Sequence, residues 1–347
     1  MRILVASVTN READVLAPHV ASILAQALPK NTTIELAYVS DNLAPGALQI
    51  LHDAGASVAD ALPREAPSGY SVSETTHEWG LSDFEWLARE KQRLLEHARD
   101  GRYDAIFFVD SDLVLGADTL ASLIYAQKDV VSGVFWTRWQ PGAPPLPQVW
   151  MTHPYEMHGR GVQADEFLRS LEERSLVRVG GLGACTLMRS RVFDKLEWFP
   201  LLGGLPSGGM WQGEDRSFCI KAERNHVELW ADAWPDIYHQ YRPSEVLRLG
   251  EWQERFPLLV ETPEVGDLVS LVLEPLEERE LHSHREHVRG RLGALPVLPE
   301  IESVLGSMKV GETRVVKVEF PMSWLVAEYR GRSRNVLVRL VGAKRKG

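Results

Sequence analysis

Chemistry is first concentrated in this sequence where two acids close an apolar run. Ala105–Val109 reads AIFFV and leads straight into Asp110, Ser111 and Asp112, after which apolar residues resume. Side chains alternate along a strand, so carboxylates at i and i+2 point to one side. Two hard oxygen donors at a strand end suit Mg²⁺ or Mn²⁺, with substrate phosphates completing the octahedron. Two loop acids, one of them capping the following helix, account for the same residues. Arg89 and Arg93 are one helical turn apart and can share a side, although for Arg93 a solvated helix face serves as well. Cys185 and Cys219 adjoin no base-bearing motif and read as small buried hydrophobes.

The elements that position these groups follow from hydrophobic period. Strands are expected at Ile3–Val8, Thr33–Val39, Ala105–Val109 and Val130–Thr137. Helices are expected at Ala13–Ala27, Leu43–Ala54, Leu81–Arg99 and Asp118–Ala126. Strands alternating with helices make βαβ units and a largely parallel sheet, whose C-terminal strand ends are where ligands sit. The stretch from Gln140 to Pro147 is a Pro/Gly loop, and residues 180–242 mix glycine clusters, aromatics and acids in the manner of a site. Trp136, Trp139, Trp150, Trp211, Trp230 and Trp234 fall in or near it, and indole faces stack on sugars and bases as well as filling cores. A break near Pro257–Pro263 separates off Asp267–Leu273, Thr313–Phe320 and Asn335–Val341, all strand-like.

Composition bounds the possibilities. The 347 residues suffice for two domains, and 38 Lys and Arg against 48 Asp and Glu give a net charge of −10. That balance does not indicate a nucleic-acid partner. Two cysteines cannot make a disulfide framework or a four-ligand zinc site. No apolar run reaches the roughly 18 residues of a membrane span, and the N-terminus lacks a signal-peptide pattern, so a cytoplasmic location is expected.

Further motifs occur in a fixed order around the acidic pair. Thr9-Asn10-Arg11-Glu12 follows the first strand, Asp41 the second, and Trp86-Leu87-Ala88-Arg89 opens the approach to Asp110. Then come Gly180-Gly181-Leu182-Gly183, Gly213-Glu214-Asp215 and finally His239. Over about residues 1–245 this order resembles the nucleotide-sugar-dependent glycosyltransferases of the GT-A fold, most like glycosyltransferase family 2. The resemblance implies an α/β fold, a Rossmann-like, mostly parallel GT-A domain over 1–255. It implies Asp112 as the direct ligand of Mn²⁺ or Mg²⁺, with Asp110 nearer the ribose or a metal water and His239 as a further ligand. It places Thr9, Asn10, Arg11, Asp41, Arg89, Asp110, Ser111 and Gly181 with a UDP- or GDP-sugar, Arg89 against a phosphate. It makes Asp215 the base of an inverting transfer, Glu214 its neighbour that orients acceptor or helix start, and Trp211 the acceptor contact. Retaining enzymes share a similar pattern, so stereochemistry stays open, as does the acceptor.

Beyond the break, Val265-Gly266-Asp267, Leu298-Pro299-Glu300-Ile301, Gly306, Gly311-Glu312 and Phe320-Pro321 resemble an FKBP-type peptidyl-prolyl isomerase domain, such as that of trigger factor, over 262–345. The family lines its proline pocket with aromatics. Here Leu276–Leu295 is rich in charge and histidine and has no aromatic residue, so a small α+β docking module is expected in place of an isomerase. His282, His284 and His287 can bind a transition metal or lie in a solvated charged loop. Two other readings of the chain remain open. A nucleotidyltransferase would want a glycine- and lysine-rich phosphate loop, which Ser7–Ala13 lacks. A non-catalytic sugar- or peptide-binding protein would act through the C-terminal module.

Overall fold

The computed structural model describes residues 1–64, 68, 71–74, 77–138, 142–150, 162–202, 213–255, 258–276, 286–319 and 333–345. It divides the chain into two compact units, Met1–Trp252 and Gln253–Gly347. In the first unit the principal strands are β1 (Arg2–Thr9), β2 (Thr33–Ser40), β3 (Ser57–Asp60), β4 (Ala105–Val109), β5 (Leu113–Leu115), β6 (Val130–Gly133), β7 (Leu176–Val179), β8 (Cys185–Arg189), β9 (Leu229–Asp232) and β10 (Ile237–His239). The principal helices are α1 (Ala13–Leu24), α2 (Pro45–Asp53), α3 (Leu81–Asp100), α4 (Thr119–Tyr125), α5 (Val162–Glu172) and α6 (Glu214–Arg224).

Eight strands form one mixed, mostly parallel sheet in the order β7-β9-β6-β8-β4-β1-β2-β3. Strands β3, β2, β1 and β4 run parallel, as do β6 and β9. The strand β8 inserts antiparallel between β4 and β6. Central strands covered on both faces should be apolar throughout, and all five residues of β4 are buried. Their alternation divides the core. Leu4, Ala6, Ile106 and Phe108 pack on one face with Leu95 of α3 and Phe218 of α6. Ile3, Val5, Phe107 and Val109 pack on the other with Leu16 of α1 and Leu123 of α4. This is the α/β arrangement expected from the sequence, with the acidic pair at the C-terminal end of β4. One expected element differs: Val130–Thr137 is not a single strand but β6 plus a two-residue strand, Trp136–Thr137, which pairs separately with Leu146–Pro147.

The second unit holds β11 (Leu258–Leu259), β12 (Leu268–Pro275), β13 (Glu286–Arg291), β14 (Thr313–Glu319), β15 (Ser333–Arg345) and the helix α7 (Pro299–Leu305). Its strands form an antiparallel sheet in the order β11-β15-β12-β13, with β14 also on β15. The helix α7 buries Ile301 and Leu305 in a separate core with Leu271, Val318 and Val338. The charged stretch Leu276–Leu295 thus includes a strand, β13, whose hydrophobic signal is only Val288. Phe320, Pro321, His282 and His284 lie outside the described residues, and His287 meets Ser270 Oγ at 2.7 Å.

Candidate functional site

Where β1, β2 and β4 end side by side, three loops leave the same edge of the sheet and line an open cleft. Thr9, Asn10 and Arg11 come from the first loop, Asp41 from the second, and Asp110, Ser111 and Asp112 from the third. The turn after β2 is tight, with Asn42 left-handed at φ 57°, a conformation asparagine tolerates better than most residues. Its amide donates to Asp41 Oδ1 at 3.2 Å.

Val8, Arg64, Trp79, Trp86 and Leu87 also line the cleft, and sequence reasoning missed Arg64 and Trp79 altogether. The guanidinium of Arg64 donates to Asp41 Oδ2 at 2.6 Å and to Asp83 Oδ1 at 2.8 Å, and lies 3.7 Å from the centre of the Trp86 ring. Asp83 is itself fixed by the start of α3, where its other oxygen accepts the Gly80 N–H at 2.9 Å. Trp79 stacks on Phe84, ring centres 5.8 Å apart and 14° from parallel.

The buried Asp112 forms an ion pair with Arg11, and its Oδ2 lies 3.5 Å from Nε2 of His239. Strand pairing brings the histidine here: β10 runs antiparallel to β5 with His239 opposite Leu113. Gln240 N–H also donates to the Asp112 carbonyl at 2.9 Å. The His239 ring is oriented by Thr137 Oγ1, 2.8 Å from Nδ1, and by the Phe135 ring, centres 5.1 Å apart. Beneath this, His19 of α1 supports β5. Its Nδ1 lies 2.8 Å from the Leu113 carbonyl, an acceptor only, so Nδ1 carries the hydrogen. Its Nε2 then accepts from the Tyr38 hydroxyl at 3.0 Å.

Glu214 and Asp215 open α6, and both act electrostatically on Asp110. They share Lys91 of α3, whose Nζ donates to Glu214 Oε1 at 2.8 Å and to Asp215 Oδ1 at 3.1 Å. No adjacent residue announces Lys91, but position does: Ala88, Lys91, Leu95 and Ala98 follow the buried stripe of α3 at helical spacing. A lysine in that stripe needs a partner acid.

The charges act on one another. Burial pushes the Asp110 carboxyl up to about 8, against the pull of Lys91 and with the repulsion of Asp112, Asp215 and Glu214 added. Burial and Glu214 likewise push Asp215 up to about 6, with Lys91 opposing. Burial acts to lower Lys91, but Asp215, Glu214 and Asp110 together hold its ammonium above the ordinary lysine range.

Among the described residues no three His, Cys, Asp or Glu side chains form a metal cage by themselves. Asp112 and His239 nevertheless offer a hard oxygen and an imidazole nitrogen within 3.5 Å of each other, which fits a divalent ion completed by phosphate and water oxygens. Arg11 holds that carboxylate in the present arrangement.

The loops and strands that build this cleft lie in residues 1–139, which match the family model described as glycosyltransferase family 25, N-terminal domain. That stretch is similar to a glycosyltransferase N-terminal domain. Solved structures to which the chain is similar include S. aureus TarS 1-349, at 17% identity over 72% of this chain and 64% of that one, TM-score 0.42. TarS 1-349 in complex with UDP-GlcNAc matches at 16% identity over 67% and 56%, TM-score 0.40. A mannosyltransferase from Pyrobaculum calidifontis, in complex with GDP-Man and Mn²⁺, matches at 14% identity over 67% and 56%, TM-score 0.36. The chain thus spans between 56% and 64% of the length of these structures.

The cleft gathers Thr9, Asn10, Arg11, Asp41, Asp110, Ser111 and Asp112, and His239 reaches Asp112. Two expected donor contacts are placed elsewhere. Arg89 is not in the cleft lining, and its guanidinium lies 4.8 Å from the Phe199 ring centre. A Cβ on Gly181 would sit 2.5 Å from the Trp150 ring, so the absent side chain there makes room for an indole. Trp211 and Trp139 lie outside the described residues. Trp234 is core, donating from Nε1 to Asp118 at 2.9 Å, and Trp230 lies under Lys128. Among the described residues, the tryptophans that line the cleft are Trp79 and Trp86. Cys185 and Cys219 are buried and free, and burial pushes both thiols up, away from reactivity.

Proposed function

We propose that the chain transfers a sugar from a UDP- or GDP-sugar to an acceptor hydroxyl with inversion, using Mn²⁺ or Mg²⁺. One observation carries this reading: Asp112, Arg11 and His239 converge beside a cleft that also holds Thr9 and Asp41, with Asp215 close enough to act on Asp110. Asp112 and His239 would hold the ion, which when bound neutralises charge on the leaving diphosphate. Arg11, once released from Asp112, is placed to meet a phosphate oxygen. Trp79, Trp86 and the Arg64–Asp41 pair form the wall against which base and ribose would lie. Asp215 takes the proton of the acceptor hydroxyl as its oxygen bonds to the anomeric carbon. The bond from that carbon to the diphosphate oxygen breaks, and the nucleoside diphosphate leaves with the electron pair.

This function would occupy a GT-A domain spanning 1–255 in the cytoplasm; no helix among the described residues is long and apolar enough to cross a membrane. For 262–345 we propose an FKBP-like docking module that presents the acceptor; the antiparallel sheet and the packed helix α7 support that reading. Calorimetric titration of UDP-GlcNAc, UDP-glucose, GDP-mannose and a CMP-sugar, with Mn²⁺ and then with EDTA, tests the function. One donor binding only with the metal is expected. No binding of any donor under either condition would overturn it.

A further inference from the structure

The two oxygens of Asp215 face different surroundings. Oδ1 accepts from Lys91 at 3.1 Å, whereas Oδ2 faces Gly183, where an added Cβ would lie 3.4 Å from it and 3.8 Å from the Gln148 carbonyl. Gly183 directly precedes Ala184, whose carbonyl accepts the Asp110 N–H at 2.9 Å, so this gap adjoins the acidic turn. Lys91 is 5% exposed, packed 4.6 Å from the centre of the Trp198 ring, while Asp215 keeps 24% exposure.

We propose that Lys91 is a positioning residue that pins Oδ1 of Asp215 and so presents Oδ2, across the gap left by Gly183, as the oxygen that takes the acceptor's proton. The proposal rests on the transferase reading above. A carboxylate turns about its Cβ–Cγ bond between two broad minima, and a fixed ammonium on one oxygen settles where the other points. Lysine suits this better than arginine. A compact ammonium divides its three donors between Glu214 and Asp215, whereas a guanidinium fork would engage both oxygens of one acid. One cation against two carboxylates leaves the group a negative charge to be neutralised when Oδ2 receives the proton. At 3.4 Å a methyl group on Gly183 would fit without displacing its neighbours, yet it would fill the space in front of that oxygen.

The test compares wild type, Lys91→Met and Gly183→Ala in the full chain. Release of nucleoside diphosphate is followed from UDP-GlcNAc, UDP-glucose, UDP-galactose and GDP-mannose with Mn²⁺, water serving as acceptor where no other is supplied. Melting temperature and affinity for UDP and GDP are measured alongside. Turnover by Lys91→Met is expected to fall at least about 100-fold, with the acid limb of its rate profile moved to higher pH. Turnover by Gly183→Ala is expected to fall about tenfold or more, with melting temperature unchanged and diphosphate affinity within about threefold. Gly183→Ala decides the matter if Lys91→Met does not fold. Turnover by Gly183→Ala at the wild-type rate overturns the proposal while leaving the transferase reading intact. Wild type that binds a donor yet never releases diphosphate overturns it too, because an oxygen open to the gap would activate water. Wild type that binds no donor overturns the transferase reading itself, and the proposal with it.

Discussion

Two residues of the cleft, Asp112 and Arg64, make separate demands on it. Asp112 is shared between Arg11 and His239, so its replacement removes a carboxylate that both approach. Asp112→Ala is expected to lower donor turnover more than about 100-fold and to abolish Mn²⁺-dependent donor binding in calorimetry. Metal-dependent turnover persisting at near wild-type rate would contradict that role. Arg64 was not foreseen, because nothing near it in sequence names Asp41, Asp83 and Trp86 as its partners; they meet only once β2 and α3 are packed. Arg64→Ala is expected to weaken nucleoside diphosphate binding about tenfold, roughly 1.4 kcal/mol, through loss of the wall it braces. Unchanged affinity would show that Arg64 serves folding alone.

At the scale of elements, the β5–β10 pair carries His239 to Asp112, and α1 supports that pair through His19. Burial lowers His19 from 6.5 to about 4. Its depressed value means that the unfolded chain binds a proton between pH 6.5 and 4 that the folded chain refuses. The stabilisation is therefore complete above pH 6.5 and lost as pH falls toward 4, by about 3 kcal/mol at 1.36 kcal/mol per unit. Asp110 and Asp215, raised to about 8 and about 6, act in the opposite sense over the same range. The informative quantity is thus the stability of wild type minus that of His19→Asn in urea, which is expected to shrink as pH falls from 6.5 to 4. A difference independent of pH would contradict this tautomer and its burial. Gly181 belongs to the same scale. With a Cβ position 2.5 Å from the Trp150 ring, Gly181→Ala is expected to destabilise by about 1–3 kcal/mol while leaving donor affinity unchanged, measured by unfolding and calorimetry. A loss of affinity without a loss of stability would return Gly181 to the donor site.

Across the whole molecule, legibility followed the range of the interactions. The strand Ala105–Val109 was readable to the residue, since a strand buried on both faces writes itself as an unbroken apolar run. Asp110 and Asp112 were readable because they sit on that run. The strand Glu286–Arg291 was hidden, because its outward residues are charged and its inward signal is Val288 alone. Lys91 and Gly183 were hidden for another reason: what each does depends on Asp215, which lies far along the chain and arrives through α6. The two units have cores with no residue in common, so calorimetry of the full chain is expected to resolve two unfolding components. A single transition with equal calorimetric and van't Hoff enthalpies would contradict that expectation. The proposed transfer chemistry depends on Asp112 and Asp215. Its most direct test is release of free nucleotide from a panel of UDP-, GDP- and CMP-sugars by the wild-type chain, with Mn²⁺ or with EDTA. Slow release from one donor that stops when EDTA is added is the predicted result; equal release with and without the metal, or no release from any donor, would contradict it.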